Sequence, residues 1–63
     1  MSEKKIARAN YMAQFYYGLH MGEDYVLERS GKATGIWSVY NQNGLYLAEC
    51  RTDCFDNYRD IPN

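Results

Sequence analysis

Apolar residues in the first third of the chain recur at helical spacing. At about 100° per residue they collect on one broad face. That face holds Ile6, Ala9, Met12, Ala13, Tyr16, Leu19 and His20. Ser2 is a favourable N-cap residue. The pattern predicts a helix over about residues 2–21, with either Gly18 or Gly22 as its C-cap glycine.

Strand signals dominate the rest of the chain. Short segments rich in β-branched and aromatic residues alternate with glycine-containing connections. Asn43-Gly44 is typical of a tight hairpin turn, and Gly31 to Gly35 is the expected connection between the first two strands. The predicted strands cover about residues 25–30, 36–41 and 45–51. Residues 52–63 are predicted to be a tail that forms a short helical turn and then frays.

Together these elements predict an α+β fold in a single small domain spanning residues 1–63. An N-terminal helix is expected to pack on a three-stranded antiparallel β-meander, so that each buries the other's apolar face. Alternation along the strands predicts a core of Leu27, Trp37, Val39, Leu45 and Leu47 beneath the helix.

The aromatic content is high for such a short chain, with seven Tyr, two Phe and one Trp in 63 residues. A domain of this size buries only about 60% of its unfolded surface, so some of these rings are expected at the surface or in an interface. Tyr40 and Tyr46 are expected on the open face of the sheet, where they either bind a partner or cover neighbouring strands. Tyr11 and Phe15 form a second strip on the helix, unless the sheet curls and takes Phe15 into the core.

Charge does not direct the chain towards one class of partner. Seven Lys and Arg face eight Asp and Glu, which leaves no strong overall field. Lys4, Lys5 and Arg8 nevertheless form a basic first turn in the predicted helix, which would suit phosphate contacts in a small nucleic-acid-binding domain. The N-terminal residues lack the apolar core of an export signal, and the apolar runs are too short for a membrane span, so we expect a cytoplasmic location.

The residues that usually carry catalysis or bind metals are few. Cys50, Cys54 and the single His20 fall short of four zinc ligands. The two cysteines are expected to be free thiols, with a disulfide or a metal site as alternatives. The segment Ser30 to Gly35 lacks the upstream glycine of a phosphate-binding loop. We therefore expect no enzyme activity, no cofactor and no metal.

These observations predict a protein-interaction module that binds and modulates, or inhibits, a larger protein. No segment matches a family motif; the chain resembles the inhibitors and accessory proteins of phages and other mobile elements only in size and style. The expected contacts are the aromatic anchors Tyr11, Phe15, Tyr40 and Tyr46, with Asp53 and Asp56 as charges at the rim. A homodimer through the Tyr11–Phe15 strip is a variant of this prediction, and nucleic-acid binding is the alternative.

Overall fold

A computed structural model describes residues 2–30 and 35–61. The elements in chain order are β1 (Ser2–Ala9), α1 (Tyr11–Tyr17), β2 (Asp24–Ser30), β3 (Ile36–Tyr40), β4 (Tyr46–Arg51), a short 3-10 helix (Thr52–Cys54) and β5 (Phe55–Asp60). The five strands form one antiparallel sheet in the order β4-β3-β2-β1-β5. The predicted connection from Gly31 to Gly35 falls mostly on residues 31–34, which lie outside the described residues.

The predicted fold, a long N-terminal helix on a three-stranded meander, is wrong. Residues Ser2–Ala9 form a strand, and the helix that follows has only seven residues. β1 pairs with β2 on one side and with β5 on the other, so both of its edges are hydrogen-bonded. This pairing outweighs the helical preference of the Lys, Ala and Arg residues in β1, because propensity is a weak prior that tertiary context overrides.

The short helix α1 is defined by a cap at each end. The Asn10 side chain accepts hydrogen bonds from the backbone N–H groups of Met12 (2.9 Å) and Ala13 (3.3 Å). Gly18 ends the helix with a φ of 71°, in the left-handed region that glycine tolerates. Of the two C-cap residues that the sequence left open, the fold therefore uses Gly18. Ser2, the predicted N-cap residue, lies at the start of β1.

The three strands expected from the sequence correspond to β2, β3 and β4 within one residue at each end. The predicted frayed tail is wrong, because residues Phe55–Asp60 form β5 and pair with β1. A bulge interrupts this pairing, and Asn57 within it has a φ of 56°. Asn is among the few residue types that visit this conformation readily, because its side chain can hydrogen-bond locally.

The core lies on the face of the sheet that α1 covers. Its buried residues come from every strand, from α1, from the loop that follows α1 and from the 3-10 helix: Ala7, Ala9, Ala13, Leu19, Tyr25, Leu27, Trp37, Val39, Cys50, Cys54 and Phe55. Ala7 and Ala9 of β1 and Ala13 of α1 are at most 1% exposed and belong to this one cluster. Three members of the predicted core, Leu27, Trp37 and Val39, are buried.

The other two predicted core residues, Leu45 and Leu47, are exposed. The pairing of β3 with β4 shifts register between Val39 and Tyr40, because β4 carries an extra residue there. Ala48 and Cys50 therefore face the core in place of the two leucines. A shift of one residue moves a side chain to the opposite face of a sheet, so alternation read from sequence fails at a bulge.

The sheet is strongly curled. Three residues join β4, at one edge, to β5, at the other. The chain spans at most about 3.6 Å per residue, whereas five flat strands at a spacing of about 4.8 Å would hold the edges roughly 19 Å apart. The edges must therefore approach each other at this end. The Asn10 N–H donates to the Cys54 carbonyl (3.0 Å), which ties the start of α1 to the same place.

Candidate functional site

The most exposed aromatic residues of the described chain lie together on α1. Tyr11, Phe15 and Tyr16 are 63%, 66% and 63% exposed. The rings of Tyr11 and Phe15 are stacked with centroids 5.9 Å apart, and Tyr16 meets Phe15 edge to face at 4.9 Å. We call these three residues the helix strip. The strip is one continuous aromatic surface, so the alternative in which Phe15 enters the core does not occur.

The length and position of α1 explain why the strip is exposed. A helix of seven residues makes about two turns, and only one side of it can face the sheet. Ala13 occupies that side and is fully buried, with Met12 partly buried beside it. The two caps fix both ends of the helix. The three aromatic side chains therefore project from a backbone of defined position.

The chain between Asn10 and Gly22 contains no Asp, Glu, Lys or Arg. The helix strip lies within this uncharged segment, together with the partly exposed Tyr17 and the exposed Met21. Interface cores are depleted of charge and enriched in aromatic residues and Met. The composition around the strip is therefore typical of a buried contact, although this surface is open in the isolated chain.

Tyr40 and Tyr46 form a separate aromatic pair on the other side of the sheet. They are direct cross-strand neighbours, with ring centroids 5.7 Å apart. The strand registers continue this pair through Val26 to Ile6, which makes an apolar row across four strands. The sheet separates this row from α1, so the four predicted aromatic anchors do not form one surface.

The two predicted rim charges are also divided between surfaces. Asp53 lies in the 3-10 helix beside α1, where its carbonyl accepts a hydrogen bond from the Asn10 side chain (2.7 Å). Its carboxylate lies 3.8 Å from Arg51, and both side chains are more than half exposed. Asp56 lies on β5 opposite Arg8, on the face that carries the Tyr40–Tyr46 pair. Only Asp53 is placed to border the helix strip.

The three basic residues proposed for nucleic-acid binding lie on β1, and no helical turn gathers them. Lys4 and Arg8 point to the face away from α1, opposite Glu28 and Asp24 in the register of β2. Lys5 points to the other face and forms a salt bridge with Asp60. This contact raises the pKa of Lys5, the side-chain hydrogen bond being the main cause. Each of these basic residues therefore has an acidic residue opposite it or in a salt bridge with it, and the three do not form a basic surface.

Cys50 and Cys54 are both free thiols, and both are buried. Burial raises the pKa of Cys50 from 9.0 to about 11. His20 is exposed, and its backbone N–H donates to the Tyr25 hydroxyl. Within residues 2–30 and 35–61, no three His, Cys, Asp or Glu side chains gather in a way that could hold a metal ion.

Two shallow grooves accompany these surfaces. One, of about 270 Å³, separates α1 from the end of β4 and is lined by Met12, Tyr16, Tyr17, Arg51, Asp53 and Cys54. The other, of about 260 Å³, lies beside the Asn41–Gly44 turn on the opposite face. Small-molecule sites usually occupy about 300–1,000 Å³, so both grooves are below that range. The first groove continues from the helix strip towards Asp53, so the surface is concave on that side of the strip.

Sequence reasoning placed Tyr16 on the buried side of the helix and so missed it as a surface residue. The error follows from the assumed long helix, which set the wrong core-facing side. Asn10 and Gly18 were the available signal, since they bracket residues 11–17 as an N-cap residue and a C-cap glycine. A helix confined to that segment needs only one buried side.

Comparison with protein-family models, curated proteins and solved structures finds no significant match to this chain. In the part of the chain that the structure describes, no helix has the length and apolar character needed to cross a membrane.

Proposed function

We propose that this chain is a protein-interaction module that binds a larger protein through the helix strip. One observation carries the proposal: Tyr11, Phe15 and Tyr16 form a contiguous, mostly exposed aromatic surface on a helix that is capped at both ends. Rigid aromatic side chains supply large contact area at low cost in conformational entropy, which is why they dominate binding hot spots.

The groove beside the strip supports the same surface. Tyr16 belongs both to the strip and to the groove wall, and Asp53 and Arg51 border the groove with opposite charges. In this arrangement an apolar centre is flanked by polar groups on one side, as in many protein interfaces. A partner bound here would have its contact surface covered, and this occlusion is how the module would modulate the partner's activity.

The Tyr40–Tyr46 pair supports a weaker contact surface. Tyr46 is half exposed, but Tyr40 is only partly exposed, and charged residues occupy the rows on either side of the apolar row. We therefore assign the main contact to the helix strip. The basic residues of β1 give no corresponding support to nucleic-acid binding, because they lie on two faces and oppose carboxylates.

The test is an affinity purification from the native host with three forms of the chain. Wild type, the double variant Tyr11→Ser/Phe15→Ser, and the matched control Tyr46→Ser would be compared by quantitative mass spectrometry. We expect a partner that is retained by wild type and Tyr46→Ser and reduced at least about tenfold with the strip variant, a loss of about 1.4 kcal/mol. Thermal unfolding of all three forms would show that the fold is intact.

A partner that is lost with Tyr46→Ser and kept by the strip variant would assign binding to the opposite face and contradict the proposal. Equal recovery by all three forms would also contradict it.

A further inference from the structure

The uncharged character of the helix strip indicates what covers it when no other protein is bound. Contacts with unrelated proteins commonly use complementary charges to orient the partners and to reject wrong ones. The segment from Asn10 to Gly22 offers no such charge. A surface without charge meets no like-charge repulsion when it faces a copy of itself, and homodimer interfaces are more apolar than other interfaces.

The size of the surface is compatible with a small symmetric interface. Each aromatic side chain can bury about 150–250 Å², and about two thirds of that area is open at Tyr11, Phe15 and Tyr16. With the neighbouring Met21, which is 56% exposed, and part of Tyr17, the open area is of the order of 500 Å² per copy.

A standard interface buries about 800 Å² per partner, and interfaces at the small end are weak and reversible. This open area, which includes Met21 and part of Tyr17, is roughly a tenth of the chain's accessible surface of 4427 Å², the share that an interface typically takes on a small protein. Large exposed apolar patches on a monomer mark interaction sites.

We propose that two copies of this chain pair reversibly through the helix strip about a twofold axis, and that this pairing masks the strip from other partners. The inference rests on the proposed function, because it concerns the same three residues. A twofold axis near Phe15 would set the strips of the two copies against each other, so that each ring meets aromatic rings of the second copy. Since one strip cannot hold two occupants, the dimer must dissociate before a larger protein binds.

The bordering charges are compatible with this pairing. Arg51 and Asp53 lie beside the groove next to the strip, are loosely paired at 3.8 Å, and carry no net charge together. An exposed pair at this distance contributes little to stability, so each side chain is free to reorient towards the opposite charge of the second copy.

Sedimentation equilibrium of the purified chain over a range of concentrations tests the proposal. The compared forms are wild type, Tyr11→Ser/Phe15→Ser and the matched control Tyr46→Ser. We expect a monomer–dimer equilibrium for wild type and for Tyr46→Ser, and a dissociation constant at least about tenfold higher for the strip variant. Because the centre of the contact is apolar and the exposed Arg51–Asp53 pairs at its border contribute little, the dissociation constant of the wild-type dimer should stay nearly unchanged or fall as salt is raised.

A wild-type chain that stays monomeric up to about 1 mM would overturn the inference. A dimer that Tyr46→Ser weakens and the strip variant does not would overturn it too, since the contact would then lie on the opposite face. A dimer that weakens steeply with salt would indicate a charged interface and contradict the inference.

The two experiments separate this inference from the proposed function. If the chain is monomeric but loses its cellular partner with the strip variant, the inference fails and the proposed function stands. If the chain dimerises through the strip and recovers its partner equally with all forms, the self-association stands and the proposed function fails.

Discussion

Cys50 shows how one buried side chain makes stability depend on pH. It faces the core from β4, opposite Trp37, and is 1% exposed. Removing the thiol from water disfavours the thiolate, so burial raises its pKa to about 11, with a smaller effect from Cys54. At neutral pH the thiol is therefore protonated and a poor nucleophile, since the thiolate is the reactive form.

The raised pKa predicts a loss of stability at alkaline pH. The unfolded thiol ionises near pH 9.0 and the folded one near pH 11, so the contribution is complete below pH 9.0 and declines as pH rises to about 11. The urea midpoint of the wild type should fall across this window. In Cys50→Ala the overall stability should be lower, by about 1–2 kcal/mol, but the fall between these pH values should be smaller.

Tyr58 titrates in an overlapping range, since burial raises its pKa to about 12, and it is present in both forms of this comparison. The difference in slope between wild type and Cys50→Ala therefore isolates the thiol. Identical slopes would show that Cys50 does not carry the effect.

At the scale of single elements, α1 depends on its caps. An isolated helix of this length is not stable in water, because the unfavourable free energy of nucleation exceeds the stabilisation that so few hydrogen bonds provide. Asn10 supplies two hydrogen bonds to the first turn, and its amide group binds the Asp53 carbonyl. Asn10 thus fixes both the start of the helix and its attachment to the 3-10 helix, and so the orientation of the helix strip.

Asn10→Ala should lower the free energy of unfolding by about 1–2 kcal/mol, because it removes the cap. Asn10→Asp is the matched control: it keeps an oxygen that accepts from Met12 and Ala13, and it loses the amide donor to Asp53. Its loss should be smaller than that of Asn10→Ala. Chemical denaturation of both variants measures the difference, and equal stability of Asn10→Ala and wild type would show that the cap is not needed.

At the scale of the whole molecule, the core and the helix strip are built from different residues. β5 closes the fold by pairing the end of the chain with β1, and it adds Phe55 to the core with its ring 6.5 Å from that of Tyr25. The helix strip, in contrast, lies outside the core. The two phenylalanines of the sequence divide between core and surface, since Phe55 is 3% exposed and Phe15 is 66% exposed.

Alanine substitutions at the two phenylalanines should therefore differ strongly in their effect on stability. Phe55→Ala should cost about 3–5 kcal/mol, which is comparable to the roughly 3–5 kcal/mol that the core of so small a domain supplies. This variant should be largely unfolded by circular dichroism. Phe15→Ala should change stability by less than about 0.5 kcal/mol. Similar losses in the two variants would show that the strip is part of the folding core.

Local signals predicted the middle of the chain well. Strands rich in β-branched and aromatic residues, together with the Asn43-Gly44 turn, place β2, β3 and β4 within a residue of their observed ends. The excess of aromatic residues over what a small core can absorb predicted that some rings lie at the surface, and Tyr11 and Phe15 are exposed; the sequence left open whether Phe15 enters the core. These features depend on neighbours in sequence or on the ratio of surface to volume, both of which can be read without coordinates.

Tertiary structure alone decided the two ends of the chain. Residues 2–9 have helical propensity, yet they form an interior strand because β2 and β5 both pair with them, and β5 comes more than 40 residues later. The same pairing turned a predicted tail into β5, divided Lys4, Lys5 and Arg8 between two faces, and left Tyr16 exposed. A strand's partner is a property of the whole fold, so no local pattern could reveal that β1 and β5 pair.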